Sequence, residues 1–212
     1  MSNIKSGGAD IQLTAPDIHT NRILKILRAR QTTRVFSPRA LSPKTVSNLL
    51  YAANGVNRSR EGSRTAPSAH NWRYIDIYLA DARGLFLYDA QNNSLKMIRN
   101  TDLRAHTGLQ DYAAQAPLNL VYVLDRARIM ETIPDTTILL FGAATTGAIS
   151  QNVYMYAASE HLSTVVRADI DREKLHKEMK LRDDQEILLA QSVGHTSTVD
   201  RIKNIAKKIL QH

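Results

Sequence analysis

Two arginines four residues apart flank a hydroxyl in the segment Arg30-Gln31-Thr32-Thr33-Arg34-Val35-Phe36. Guanidiniums in that spacing can offer bidentate donors, and the hydroxyl a short hydrogen bond, to one phosphate; arginine suits this chemistry better than lysine because its donors form a planar fork. A second segment, Pro67-Ser68-Ala69-His70-Asn71, reads as a rigid turn that presents Ser and Asn side chains and free backbone amides. A third runs from Gly147 to Asn152, with His161 to Asp171 beyond it, and a fourth is Ser192-Val193-Gly194-His195-Thr196-Ser197. Taken singly, each has a plainer reading: a solvated helical stripe, an ordinary turn, a buried core helix. Neither a glycine-rich dinucleotide fingerprint nor a P-loop is present, and no Gly-x-Ser-x-Gly elbow occurs. The seven histidines have no metal spacing. Neither a catalytic side chain nor a metal site is therefore read from the chain.

These segments need elements to hold them. From Asn21 to Arg30, Ile23, Leu24, Ile26 and Leu27 recur at helical spacing, which predicts a short amphipathic helix ending where Thr32 and Thr33 disfavour continuation. Ser42-Pro43 supplies an N-cap and an N1 proline for a second helix with Val46, Leu49, Leu50 and Ala53 inward, ended by Asn54-Gly55. Residues 56–71 read as a long polar loop of the kind that is functional or disordered. Tyr74 to Leu79 alternates as a strand, 85–88 and 95–98 form a hairpin, 101–112 is helical, and 118–124 is a continuous apolar strand central in its sheet. Residues 135–161 make the most apolar helix, with a small-residue middle from Gly142 to Ala148. Such a helix must be buried on several sides, one of them in a second subunit. A helix over 171–180, a strand over 186–193 and a basic helix over 199–210 complete the order. There is no internal repeat and no linker, so an N-terminal arm (1–20) and one domain (21–212) are expected.

The 212 residues carry 28 Lys or Arg against 20 Asp or Glu, and the excess sits at the ends. Residues 1–40 hold seven basic side chains against Asp10 and Asp17. With the middle nearly balanced and no basic run interleaved with aromatics, a compact anion fits better than a nucleic-acid track. Cysteine is absent, which excludes thiol catalysis, iron-sulfur clusters and disulfide scaffolds and permits a reducing, cytoplasmic home. No window approaches a membrane span and no signal-peptide core is read, so neither a membrane nor export is expected.

In their order and spacing the segments resemble the flavin-dependent nitroreductase superfamily, and within it the dehydrogenase-like branch associated with azoline oxidation in peptide maturation. The family opens on Arg-Arg-Ser-x-Arg-x-Phe, matched by Arg30 to Phe36 with Gln31 in place of the second arginine. It continues with Pro-Ser-x-x-Asn, matched by Pro67 to Asn71. A long helix then leads to Gly-Leu-Gly-Thr, approximated by His161 to Thr164, with His161 and Ser163 where the glycines stand. The resemblance spans roughly residues 22–197.

It implies an α+β fold, a mixed, largely antiparallel sheet flanked by helices, in an entwined homodimer with FMN at the interface. Residue by residue, it implies that Arg30 and Thr32 hold the FMN phosphate, with Gln31 contributing its backbone and Arg34 lying near the ribityl or pyrimidine end. Pro67, Ser68, Ala69 and Asn71 would line the flavin, from the other subunit. Backbone amides of Val166, Arg167 and Ala168 would face the ring's polar edge, and a C-terminal basic residue, Arg201 or Lys208, would reach the phosphate. The Arg167 guanidinium would point either to solvent or over a substrate pocket. The implied activity is ping-pong hydride transfer through flavin N5, from NAD(P)H to a quinone, nitro or similar organic acceptor. An FMN-dependent dehydrogenase or oxidase acting on a peptide or small organic substrate is the alternative, and a non-catalytic basic binding or flavin-storage protein is the rival from another class.

Overall fold

The computed structural model describes residues 13–197. The expected helix over 199–210, with Arg201 and Lys208, lies outside the described residues, as does most of the expected arm. In chain order, the helices are α1 (Arg22–Ala29), α2 (Pro43–Asn54), α3 (Asp111–Gln115), α4 (Asp135–Ser159) and α5 (Arg172–Met179). The strands are β1 (Val56–Arg58), β2 (Ser63–Arg64), β3 (Ile75–Asp81), β4 (Gly84–Asp89), β5 (Ser94–Arg99), β6 (Leu118–Asp125), β7 (Leu162–Arg167) and β8 (Gln185–His195).

Six strands form one sheet in the order β5-β4-β3-β6-β8-β7, antiparallel throughout. This is the α+β architecture expected, with β6 buried along its whole length between β3 and β8. Alternation along the strands feeds two cores. Ile75, Ile77 and Leu79 with Leu118, Leu120, Tyr122 and Leu124 meet Leu49, Leu50 and Ala53 of α2 and Ile149 and Val153 of α4. On the other face Tyr78, Ala80, Val121, Val123 and Ile187 meet Leu175 and Met179 of α5.

The cap read at Ser42 acts as expected, and two further caps join it. Ser42 Oγ accepts from the Thr45 amide (3.1 Å) at the start of α2, and Asn21 Oδ1 accepts from Ile23 and Leu24 at the start of α1. Asp171 caps α5, which ends on Lys180 in the left-handed conformation.

Three expectations change. The loop at 56–71 contains the small β1–β2 hairpin, turned at Gly62 with φ +63°. The helix over 101–112 is replaced by a 3-10 turn at Arg104–His106 and the five-residue α3. The cause is local and tertiary: the Asp102 carboxylate takes the Arg104 amide, and the Thr107 carbonyl accepts from the Arg167 guanidinium instead of from a following amide. Residues 162–167, given no element from the sequence, are the edge strand β7. The run Thr164-Val165-Val166 carries the β-branched signal for it.

At one end of the sheet, arginines and carboxylates close the strand ends. Asp125 receives Arg182 (2.6 Å) and Arg128 (3.3 Å), Asp76 receives Arg128 (2.7 Å), and Arg126 bridges Asp135 and Glu186. Burial pushes the Asp76 carboxyl above its ordinary value, against the pull of Arg128. No helix among the described residues is long and apolar enough to cross a membrane.

Candidate functional site

The segment that follows α1 touches the outer edge of β7 and then reaches the end of β8. Thr33 N–H donates to the Thr164 carbonyl (3.0 Å), Phe36 bridges to Thr196, and Ser37 N–H donates to the His195 carbonyl (2.9 Å). Thr33 thereby satisfies one carbonyl on the edge of β7, and Phe36 and Ser37 tie the segment to the end of β8. Gly194 permits the approach, since a Cβ there would lie 2.6 Å from Pro117 and 3.2 Å from Phe36.

This docking places Arg30 and Thr32 on Tyr154 of α4. The Arg30 guanidinium carbon lies 5.3 Å from the centroid of the Tyr154 ring, and Thr32 Oγ1 is 3.0 Å from the Tyr154 hydroxyl. Val166 N–H donates to that hydroxyl (3.1 Å). Arg30, Thr32, Tyr154 and Val166 therefore form one corner where α1, α4 and β7 meet. Gln31 and Arg34 flank it and are exposed. Among the described residues neither Arg30 nor Arg34 meets a carboxylate, as is true of Arg22, Arg28 and Arg39 nearby in the chain, whereas Arg58, Arg83, Arg104, Arg126, Arg128 and Arg182 each do. The corner is thus a place of uncompensated positive charge with a hydroxyl beside it, a donor set that fits a phosphate.

Tyr154 was not singled out from the sequence. The available clue was a polar-tipped aromatic on the buried stripe Thr146-Ser150-Val153-Tyr154, where a phenol must find a hydrogen-bond partner.

The Val166–Ala168 stretch presents its backbone unevenly. Thr164 C=O and Val166 N–H point off the edge of β7, so those of Val165 and Arg167 turn toward β8, where Arg167 pairs with Ala190. Ala168 follows the strand and is exposed. The Arg167 side chain neither points to solvent nor overhangs a pocket, the two dispositions expected of it. It is 6% exposed and donates to the Thr107 carbonyl (3.0 Å), Thr107 Oγ1 (2.7 Å), Ser192 Oγ (2.7 Å) and Asn119 Oδ1 (3.0 Å), with the Tyr112 ring 6.0 Å away. Burial lowers the pKa of this guanidinium to about 10, and the phenols of Tyr112 and Tyr122 oppose the fall. The reason is the strand period: Val166 faces α4, so Arg167 must face the opposite layer.

The Pro67–Asn71 turn is a separate group in one subunit. His70, Asn71 and Arg73 all take positive φ (51°, 54° and 55°), a dense run of left-handed residues without glycine. It is held by Arg73 N–H donating to Ser68 Oγ (3.2 Å), by the Arg73 guanidinium donating to the Asn71 carbonyl (3.0 Å), and by His70 stacked on Trp72 at 4.5 Å. Pro67 and Asn71 are exposed and Ala69 is half-buried, its amide donating to the Tyr74 hydroxyl (3.4 Å). That hydroxyl donates to the Phe141 carbonyl and meets Thr145 Oγ1 at 2.8 Å. Thr145 and Tyr154 are nine residues apart, about 14 Å of helix. The turn and the Arg30 corner thus hang from different stretches of α4.

His161 takes φ +55°, the conformation a glycine would adopt there without strain, and it turns the chain from α4 into β7. Gly147 has no atom within 4 Å of where a Cβ would stand, so it does not serve close packing inside the subunit, whereas a Cβ at the buried Gly142 would lie 3.1 Å from Leu188. Ala143, Ala144 and Gly147 are exposed, with Leu140 65% exposed one turn earlier.

A cavity of about 510 Å³ opens between α2, the β3–β4 turn and the start of β6, lined by Leu41, Val46, Leu50, Leu95 and Leu118 with Arg83 and Arg104 at its rim. None of the motif residues lines it. Its arginines are already taken, Arg83 by Asp81 (2.6 Å) and Arg104 by Asp102 (2.7 Å), so it is the poorer anion site.

An antiparallel sheet between helical layers, with an arginine and a hydroxyl set together where α1, α4 and β7 meet, defines an α+β protein with a donor set at that corner that fits a small anionic group. Residues 27–195 match the nitroreductase family, and the chain belongs to it. The fold is similar to a nitroreductase of Ralstonia eutropha at 40% identity and TM-score 0.80, over 88% of this chain and 89% of that one. It is similar also to a chain of the Escherichia coli microcin synthetase complex, at 16% identity and TM-score 0.72, over 93% of this chain and 78% of that one. A third likeness is to the NADPH:FMN oxidoreductase of Vibrio harveyi, at 19% identity and TM-score 0.63, over 84% and 70%. The last two likenesses are of fold.

Proposed function

We propose that this member of the nitroreductase family is an FMN-dependent oxidoreductase, working as a homodimer and passing reducing equivalents from NAD(P)H to a quinone, nitro or similar organic acceptor. The observation that carries the reading is the Arg30–Thr32 corner: a guanidinium without a carboxylate, and a hydroxyl beside it, both fixed on the edge of β7. Bound there, FMN would supply the redox chemistry, and the chain supplies binding, orientation and electrostatics. Arg30 and Thr32 would hold the phosphate, with the Gln31 backbone and the exposed Arg34 beside them. The Val166–Ala168 stretch borders the same corner. Pro67, Ser68, Ala69 and Asn71, anchored well along α4 from it, would come from the second subunit. The exposed Leu140, Ala143, Ala144 and Gly147 on α4 support that association, since they leave an apolar, close-packing face outward.

The test is the flavin spectrum of the purified protein with and without reductant. FMN bound in a stoichiometric complex, bleached anaerobically by NADH or NADPH and restored by a quinone, supports the reading. A protein that takes up no FMN overturns it, and one whose bound flavin neither nucleotide bleaches removes the nicotinamide donor.

A further inference from the structure

One hydrogen bond at the Arg30 corner has a forced direction, and it constrains its neighbour. An amide can only donate, so Val166 N–H donates to the Tyr154 hydroxyl oxygen (3.1 Å). Tyr154 is 7% exposed, and the other partner of its hydroxyl among the described residues is Thr32 Oγ1 at 3.0 Å. A buried O–H has its proton engaged, so the phenol donates to Thr32 Oγ1. Thr32 then accepts from Tyr154 and keeps its own proton, which faces outward because Thr32 is exposed. The result is a series of three donors, Val166 N–H to Tyr154 O–H to Thr32 O–H, each polarising the next toward an acceptor outside the protein. The face of the same phenol ring carries the Arg30 guanidinium. One side chain thereby orients both groups that could meet an anion.

We propose that Tyr154 is the positioning residue for a phosphate monoester at this corner, fixing Thr32 as a donor with its edge and Arg30 with its face. The proposal rests on the reading of the corner as the FMN phosphate site and deepens it. It names what makes the site selective for a phosphorylated ligand: a hydroxyl whose proton is left for the ligand, beside a guanidinium that meets no carboxylate, favours a dianion over a neutral alcohol. A ligand with the same ring system but no phosphate should be indifferent to the arrangement.

Flavin-free protein titrated with FMN and with riboflavin tests this, with Tyr154→Phe, Thr32→Val, the double variant and Arg30→Ala compared by flavin fluorescence quenching. Tyr154→Phe keeps the ring under Arg30 and removes only the relay, so FMN affinity should fall about fivefold to tenfold while riboflavin affinity changes by less than about twofold. The double variant should be no weaker than the weaker single one, because the relay is already broken. Thr32→Ser, which retains the hydroxyl, should retain the preference for FMN and keeps the proposal testable should Tyr154→Phe fold poorly by circular dichroism. If Thr32→Val and Arg30→Ala lower FMN affinity but Tyr154→Phe does not, or Thr32→Ser behaves as Thr32→Val, the positioning role is overturned and the phosphate site stands. Equal loss for both ligands in Tyr154→Phe also overturns it, as a merely structural effect. If none of the variants alters the preference for FMN over riboflavin, the phosphate is held elsewhere and both readings fall.

Discussion

Arg167 is a cation buried without a carboxylate, and its replacement separates two opposed contributions. Burial disfavours its charged form and brings the pKa down to about 10. Four donated hydrogen bonds offset that cost, each of the charge-assisted kind worth about 1.5–3 kcal/mol. Arg167→Ala removes the donors and leaves a void, and should lose about 3–5 kcal/mol. Arg167→Met fills the space and buries no charge. Asn119 Oδ1 still accepts from Ser192 Oγ (2.5 Å), so the Thr107 carbonyl is the group left without a donor, and the loss should stay within about 2 kcal/mol. Urea unfolding of the flavin-free protein at one fixed concentration measures both, with exposed Arg34→Ala as a control near zero. Because the guanidinium is enclosed, neither variant that folds should change preference between anionic and neutral acceptors. Equal losses for Ala and Met, or a loss for Ala no larger than for Arg34→Ala, would refute the account of Arg167 as a buried tie between β7, β6, β8 and the turn at 104–107. A selective rise in KM for anionic acceptors would refute its enclosure.

Arg30→Ala should weaken FMN about tenfold to a hundredfold and leave riboflavin little changed, read by titration; equal losses would remove Arg30 from the phosphate site. Gly147→Ala should leave subunit stability unchanged or raised by up to about 1 kcal/mol, since its Cβ meets nothing, whereas Gly147→Leu should drive the protein toward monomer in sedimentation and release flavin with it. A wild-type monomer that retains FMN would contradict the second half. The Arg104 guanidinium holds the Asp102 carboxyl below its ordinary 3.8, so Asp102 stabilises the fold above that pH and the contribution is lost as pH falls through the lowered value. Asp102→Asn should therefore show its deficit at neutral pH and converge on the wild type only as pH falls from 3.8 through the lowered value in acid unfolding curves. Asp76, raised by burial, has the opposite sign, its contribution declining as pH rises from 3.8 through the raised value, and Asp76→Asn should not converge in that way.

Much of this architecture lies in local chemistry that the sequence displays. Ser42-Pro43 starts a helix because a hydroxyl beside an imino acid satisfies an orphan amide where none need be donated, and Asn21 does the same for α1. The continuous apolar run at 118–124 is central because only a strand covered on both faces can be apolar on both. Two arginines around a hydroxyl, Arg30 and Arg34 about Thr32, were legible as a candidate phosphate donor set from spacing and donor chemistry, and the fold sets Arg30 and Thr32 together on Tyr154. What the sequence could not display depends on which neighbours arrive. Residues 101–112 have helical patterning, yet the helix yields to a turn because a guanidinium from β7, sixty residues on, takes the Thr107 carbonyl. Arg167 reads as a surface or pocket cation, and is buried because the two-residue period of β7 sets it opposite Val166. Tyr154 reads as one more residue of a buried helix. Its hydroxyl acquires a role only when the edge of β7 and the segment after α1 are brought to it, since the direction of a hydrogen bond is fixed by both of its ends.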